Sequence, residues 1–198
     1  HHPLFKIRKL SASKLAEERQ KAFEKYPDLK QEWFAEYEGQ VATQNFLNAT
    51  QNYPLLKGVQ TNLYKCFLPL VWRIGSVEGV SGLLHPEGVY DDPNGGGLRA
   101  GLYPRLRGHY QFHNELNLFQ DVHNQTTFSI NIYRQIRVVY FNHIANLFSP
   151  STINQCESHD GHGMIPGIKT DEGKWNTTGH ADRIIRVDKN SLTTFAIL

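Results

Sequence analysis

The sequence predicts an α/β domain, and three observations carry that prediction. Leu63, Phe67, Leu70 or Val71, and Ile74 recur at the spacing of one helical face. After Gly75 the period changes, and Val80–His85 is a short, mainly apolar run that stops at Pro86, as a buried parallel strand does. Further on, Tyr110, Phe112 and Asn114 alternate with Gln111, His113 and Glu115, which is the period of a strand. A helix feeding a buried strand whose carboxyl end opens into a Gly-rich loop, His85–Gly97, directs attention to that end. Ligands of α/β sheets sit just outside the carboxyl ends of their strands.

The remaining elements follow in chain order. Residues 1–10 read as irregular, with Leu4, Phe5, Ile7 and Leu10 as apolar anchors. Ser11 or Ser13 can cap a mostly solvated helix that Pro27 stops near Tyr26. Asp28 opens a second helix whose Leu29, Trp33, Tyr37 and Val41 are spaced by four, a stripe suited to helix packing. Its Gln/Asn-rich end (Gln44, Asn45, Asn48, Gln51, Asn52) is either a polar helix end or a set of groups that could meet base edges or phosphates. Asn62 caps the third helix, in which Pro69 removes a backbone donor. Leu98, Leu102 and Leu106 repeat every four residues as a short helix with Arg99, Arg105 and Arg107 outward, either as phosphate contacts or as a solvated face. Thr126–Tyr133 and Arg137–Phe141 read as strands, separated from the 110–115 strand by a polar loop that carries Phe119. Ser149-Pro150-Ser151 starts a helical turn, residues 158–180 are loop-rich, and Asp182–Val187 is a last strand.

Composition narrows the function classes. The 198 residues can bury one real core, and 12% aromatic content argues against overall disorder. A formal net charge of +2 is less basic than an isolated DNA-binding module usually is, although one local basic face would suffice. Two cysteines, Cys66 and Cys156, form no disulfide framework, which fits a reducing, cytoplasmic compartment. No apolar run reaches the roughly 18–20 residues a membrane span needs, so the Asn-X-Thr triplets at Asn48, Asn124 and Asn176 read as chance. The opening His1-His2, without Met, reads as a tag remnant or as the start of a piece of something longer, and a piece is the expectation.

No P-loop, HExxH, GxSxG or GxGxxG occurs. Gly95-Gly96-Gly97 reads as a flexible loop rather than a phosphate cradle, for want of the strand-to-helix turn a cradle requires. Cys156, His159 and His162 lack a matching second pair of ligands, so no metal is expected. Phe119, at a loop between two strands, could stack on a nucleobase or belong to the core.

The order of features resembles a known family. Asn62-Leu63-Tyr64-Lys65-Cys66-Phe67-Leu68, the strand and Pro in GVSGLLHPEGVYDD, the helix with Leu98-Arg99, then Leu118-Phe119 and Thr127-Phe128-Ser129-Ile130 look like the adenine-specific DNA methyltransferases of restriction-modification systems. The resemblance covers Gln44 to Arg134, and more loosely HIANLFSP and WNTTGHADRI. It implies a partial Rossmann-like class I methyltransferase sheet, strands five to seven, preceded by a helical insertion. The expected domains are residues 1–60 as the insertion, 61–148 as the carboxyl-side half of the methyltransferase domain, and 149–198 as a loop-rich extension.

The family transfers a methyl group from S-adenosylmethionine to N6 of an adenine flipped out of double-stranded DNA, and an aromatic sandwich partly offsets the cost of extrusion. By resemblance, Phe119, Asn62 and Tyr64 contact the target base, although Gln120 stands where the family usually has Pro. Phe67, His85, Pro86 and Glu87 form an active-site wall, and Arg99, Arg105 and Arg107 contact phosphate. The family's Gly-rich cofactor turn and its catalytic Asn/Asp-Pro-Pro-aromatic tetrapeptide do not occur in this sequence. The chain therefore reads as a carboxyl-side fragment that holds no catalytic residue of its own, binds the cofactor weakly and needs the missing amino-terminal half as partner. A non-catalytic DNA-binding or subunit-interaction module that keeps half of such a sheet is the alternative. In either case the expected location is the prokaryotic cytoplasm, with the nucleoid.

Overall fold

The computed structural model describes residues 11–197, so the anchors expected at 1–10 lie outside the described residues. The chain divides after Ala49 into two compact units, rather than near residue 60. The first unit holds helices α1 (Ala12–Lys25) and α2 (Pro27–Asn48). Ser11 caps α1 by accepting from the Lys14 amide, and Pro27 sits in the first turn of α2, where its missing N–H costs nothing. The two helices meet through Trp33, which packs edge-on to Phe23, stacks with Tyr37 at 5.1 Å and lies under the Arg19 guanidinium. No residue of either helix is fully buried.

The second unit, from Thr50, is α/β as expected. Its order is α3 (Leu63–Ile74), β1 (Ser81–Pro86), α4 (Gly88–Asp91), α5 (Gly96–Leu102), β2 (Leu106–His113), β3 (Thr127–Tyr133), β4 (Tyr140–Leu147), α6 (Ser151–Ser158), β5 (Ile185–Asp188) and α7 (Lys189–Ile197). The sheet runs β1-β3-β2-β4-β5. Strand β3 is antiparallel to both β1 and β2, β4 is parallel to β2, and β5 is antiparallel to β4. The sheet is thus mostly antiparallel with one parallel pair, and β1, expected as a buried parallel strand, is an edge strand with Leu84 exposed. The segment from 149 onward is not a separate extension, because it supplies β5 and α6 to this unit. No helix among the described residues is long and apolar enough to cross a membrane.

Three local readings change. Leu106 continues the four-residue spacing of Leu98 and Leu102, yet the helix ends at Leu102 and Leu106 opens β2; all three leucines are buried. The strand expected at Arg137–Phe141 begins only at Tyr140 and runs on to Leu147. Most consequentially, α3 faces the other way: Leu63, Phe67 and Ile74 are exposed, while Lys65, Cys66 and Leu68 are buried. The helix has apolar residues on both flanks, so periodicity alone could not choose the buried one. Aromatic packing chooses it, since Tyr64 stacks on His85 and Trp72 packs edge-on to Tyr133.

The two faces of the sheet differ in chemistry. One carries Phe112, Phe128, Ile144 and Leu147, closed by Cys156 and Ile153 of α6 and by Ile184, and this is the apolar core. Register and alternation place His85, Ser129, Asn131, His109 and His143 on the opposite face, beneath α3, α4 and α5. That face is polar, yet His85, His109, Ser129 and Asn131 are buried and His143 partly so, and the buried groups need partners.

Candidate functional site

The polar face converges on Glu87, the residue just past the end of β1. His109 Nε2–H donates to Glu87 Oε1 at 3.1 Å and Gln111 Nε2–H donates to Oε2 at 3.0 Å. Ser129 also lies close enough to help hold this carboxylate in its ionised form. Burial alone would push the Glu87 carboxyl up, but these hydrogen bonds and the attraction of His109 outweigh it and hold the group below the usual glutamate range. Glu87 is therefore ionised at neutral pH with its oxygens occupied. Ser129 Oγ in turn accepts from Asn131 Nδ2 at 2.8 Å, and Asn131 Oδ1 accepts from the Tyr90 hydroxyl.

A second chain of hydrogen bonds runs beside the first. His85 Nδ1–H donates to the Pro86 carbonyl at 2.9 Å, which leaves Nε2 to accept from the Tyr133 hydroxyl at 3.1 Å. Burial pushes the His85 imidazole below its ordinary value, so it is neutral at neutral pH; burial and the neighbouring His109 do the same to His143. His143 Nδ1–H donates to the His109 carbonyl, and the two rings stack at 4.7 Å. Burial pushes the Tyr90 and Tyr133 phenols up, so both serve as neutral hydroxyls. The Tyr64 hydroxyl, raised by burial and by the charges of Asp92, Glu87 and Asp91, lies close over Gly88.

The loop after Glu87 is held from within. Arg99 Nη1 donates to the carbonyls of Val89, Tyr90 and Asp92, the last at 2.6 Å. A Cβ on Gly95 would stand 2.7 Å from that Nη1, so the first glycine of the triplet makes room for the guanidinium, and the segment is neither a free loop nor an anion cradle. Lys65, buried on α3, pairs with Asp92 at 2.6 Å and ties the same loop to the helix.

Of the residues singled out in the sequence, the fold brings several to one end of the sheet. Asn62 caps α3 there, accepting from the Tyr64 amide; Tyr64, His85, Pro86 and Glu87 are adjacent to it. Phe119 comes from the β2–β3 connection, which leaves from the same end because His113 pairs with Thr127 and Pro86 with Phe128. Its ring, however, leans edge-on against Phe128 at 5.2 Å, on the apolar face rather than the Glu87 face, and is 41% exposed. Phe67 points outward from α3 instead of lining this wall. Arg99 is turned inward, and Arg105 and Arg107 lie at the start of β2, the opposite end of the strands.

Sequence reasoning missed Asn114, the residue that fixes the Phe119 loop. Wholly buried, it accepts from the Phe119 amide at 3.0 Å and donates to the Phe119 and Val122 carbonyls. His109, Gln111, Ser129 and Asn131 were missed as well; their signal is a run of polar residues on one face of strands whose other face is apolar. Among the described residues, no three of His, Cys, Asp and Glu are arranged to hold a metal ion.

The chain matches no protein-family model and no curated protein.

Proposed function

We propose that this chain is the carboxyl-side portion of the catalytic domain of a DNA adenine-N6 methyltransferase, and that its β1 end supplies one wall of the site for a flipped adenine. One observation supports this best: Asn62 and Tyr64 of α3, and His85 and Glu87 at the end of β1, share one end of the sheet with the loop that carries Phe119. Phe119 is exposed enough to stack on a base, and Asn114 holds its backbone in place. The exposed stripe of Leu63, Phe67 and Ile74 on α3 and the unpaired edge of β1 both support the need for a further segment to complete the sheet.

The residues present do not make a binding site for S-adenosylmethionine by themselves. Both His85 nitrogens and both Glu87 oxygens are engaged within the protein, and the Asn62 side chain is used as a cap. No methyl-transfer step is therefore assigned to this chain. The same apolar stripe equally suits the alternative, a subunit-interaction module without catalytic activity.

Calorimetry with S-adenosylmethionine tests the fragment reading: no micromolar binding to this chain is expected, and micromolar binding would sink it. Supplying the preceding catalytic segment tests the enzyme reading. Transfer of labelled methyl groups to adenine N6 should then appear, and Phe119→Ala should reduce it by about tenfold or more, the worth of one stacked base. A complete chain that labels no adenine leaves the module in its place.

A further inference from the structure

A second site lies at the end of the strands remote from Glu87. A small, half-open cleft is lined there by Trp72, Ser76, Ser81, Arg105, Arg134 and Gln135, among others. We propose that this cleft binds a phosphate group.

The donors and the charge argue for this ligand. The Trp72 indole N–H is buried and has no partner among the described residues. The Arg105 guanidinium lies 4.9 Å over the Trp72 ring and spends Nη1 on the Gly101 carbonyl. Arg107 is held by the carbonyls of Pro104, Leu106 and Gln135, and it is close enough to Arg134 and Arg137 to be repelled by both. Among the described residues, none of these four arginines pairs with a carboxylate, and Glu78, the one acid between Trp72 and Ser81, bridges to none of them. Arg134 lines the cleft and Arg137 lies outside its lining; both are exposed, and among the described residues no side-chain hydrogen bond or ion pair holds either.

Such a cluster of unneutralised guanidinium groups calls for an anion. The cleft offers guanidinium groups, hydroxyls and one carboxamide, with the unpartnered Trp72 indole N–H buried beneath, which together suit a ligand rich in acceptor oxygens. A phosphate, with oxygens on several sides, satisfies more of these donors than a carboxylate with two. The phosphate could belong to a nucleic-acid backbone or be a free phosphomonoester. Neither source depends on the methyltransferase reading, because Trp72, Arg105 and Arg134 take no part in the Glu87 network; Tyr133, whose hydroxyl bonds His85, is the residue the two ends share.

The test follows the Trp72 indole N–H resonance, identified by its loss in Trp72→Phe, in the full chain at constant ionic strength. Titration with inorganic phosphate should shift it saturably, and the Arg134→Ala/Arg137→Ala variant should weaken binding by about tenfold or more while melting like the wild type. A single-stranded oligonucleotide that saturates the shift at far lower concentration than inorganic phosphate, with a steep salt dependence, identifies a nucleic-acid backbone as the source. Saturation by inorganic phosphate with no gain from the oligonucleotide identifies a phosphomonoester. No saturable shift with either, an equal shift with acetate, or unchanged binding in the double variant overturns the proposal.

Discussion

Removing the Glu87 carboxylate should be among the most damaging single changes in the sheet unit. Its oxygens accept from His109 and Gln111, Ser129 lies close by, and Glu87 and His109 are 6% and 7% exposed. In Glu87→Leu the Ser129 hydroxyl can rotate to another acceptor, but the imidazole and carboxamide donors cannot, and each buried donor left unpaired costs about 1–3 kcal/mol. Together with the apolar side chain set among polar groups, the expected loss is about 3–5 kcal/mol, the range for removing one partner of a buried pair. Glu87→Gln keeps one carbonyl oxygen for His109 but presents an amide to Gln111, so about 1–2 kcal/mol is expected. Urea unfolding at pH 7, followed by Trp72 and Trp175 fluorescence in a Trp33→Phe background, measures both. A Glu87→Leu variant within about 0.5 kcal/mol of its parent would refute the account, since that is how surface sites behave.

The same residues set the direction of pH dependence. His85 and His143 have folded values below the ordinary 6.5, so the unfolded chain takes up protons first, and stability should begin to fall as pH drops below about 6.5. Glu87, held below its ordinary 4.5, contributes fully above that pH and is lost as pH falls through its folded value; Glu87→Gln should flatten this lower limb and spare the upper one. Asn114→Ala should cost about 2–4 kcal/mol and abolish exchange protection at the Phe119 amide while leaving the β2–β3 amides protected. Arg99→Met should destabilise by about 2–3 kcal/mol, through three lost carbonyl bonds, and leave the salt dependence of any DNA binding unchanged; a shallower salt slope would mean that Arg99 meets phosphate after all.

Local signals in the sequence read well where one residue decides the outcome. The Ser11 and Asn62 caps, Pro27 at the start of α2, and the end of β1 at Pro86 are set by the chemistry of single side chains. The buried face of α3 was unreadable because Leu63 and Phe67 on one side match Cys66, Leu68 and Trp72 on the other. Leu106 misled because a four-residue repeat continues across the helix-to-strand boundary. The Glu87 network was hidden for another reason. Alternation along β2 and β3 marks polar positions as solvent-facing, and only the cover of α3, α4 and α5 turns them into an interior. Glu87 itself stood out through resemblance, never through periodicity.

The position of β3 between β1 and β2 also governs how the chain can be made. Strand β1 emerges before β2, yet its hydrogen-bonding neighbour β3 appears only after all of β2 and the Asn114–Thr126 connection. At roughly 5–20 residues per second of synthesis, β1 waits several seconds with both edges open. The β2–β3 hairpin is the shortest-range pairing available and closes first. This sheet thus assembles from the β2–β3 hairpin outward, and β1 is the strand most in need of shelter while translation proceeds.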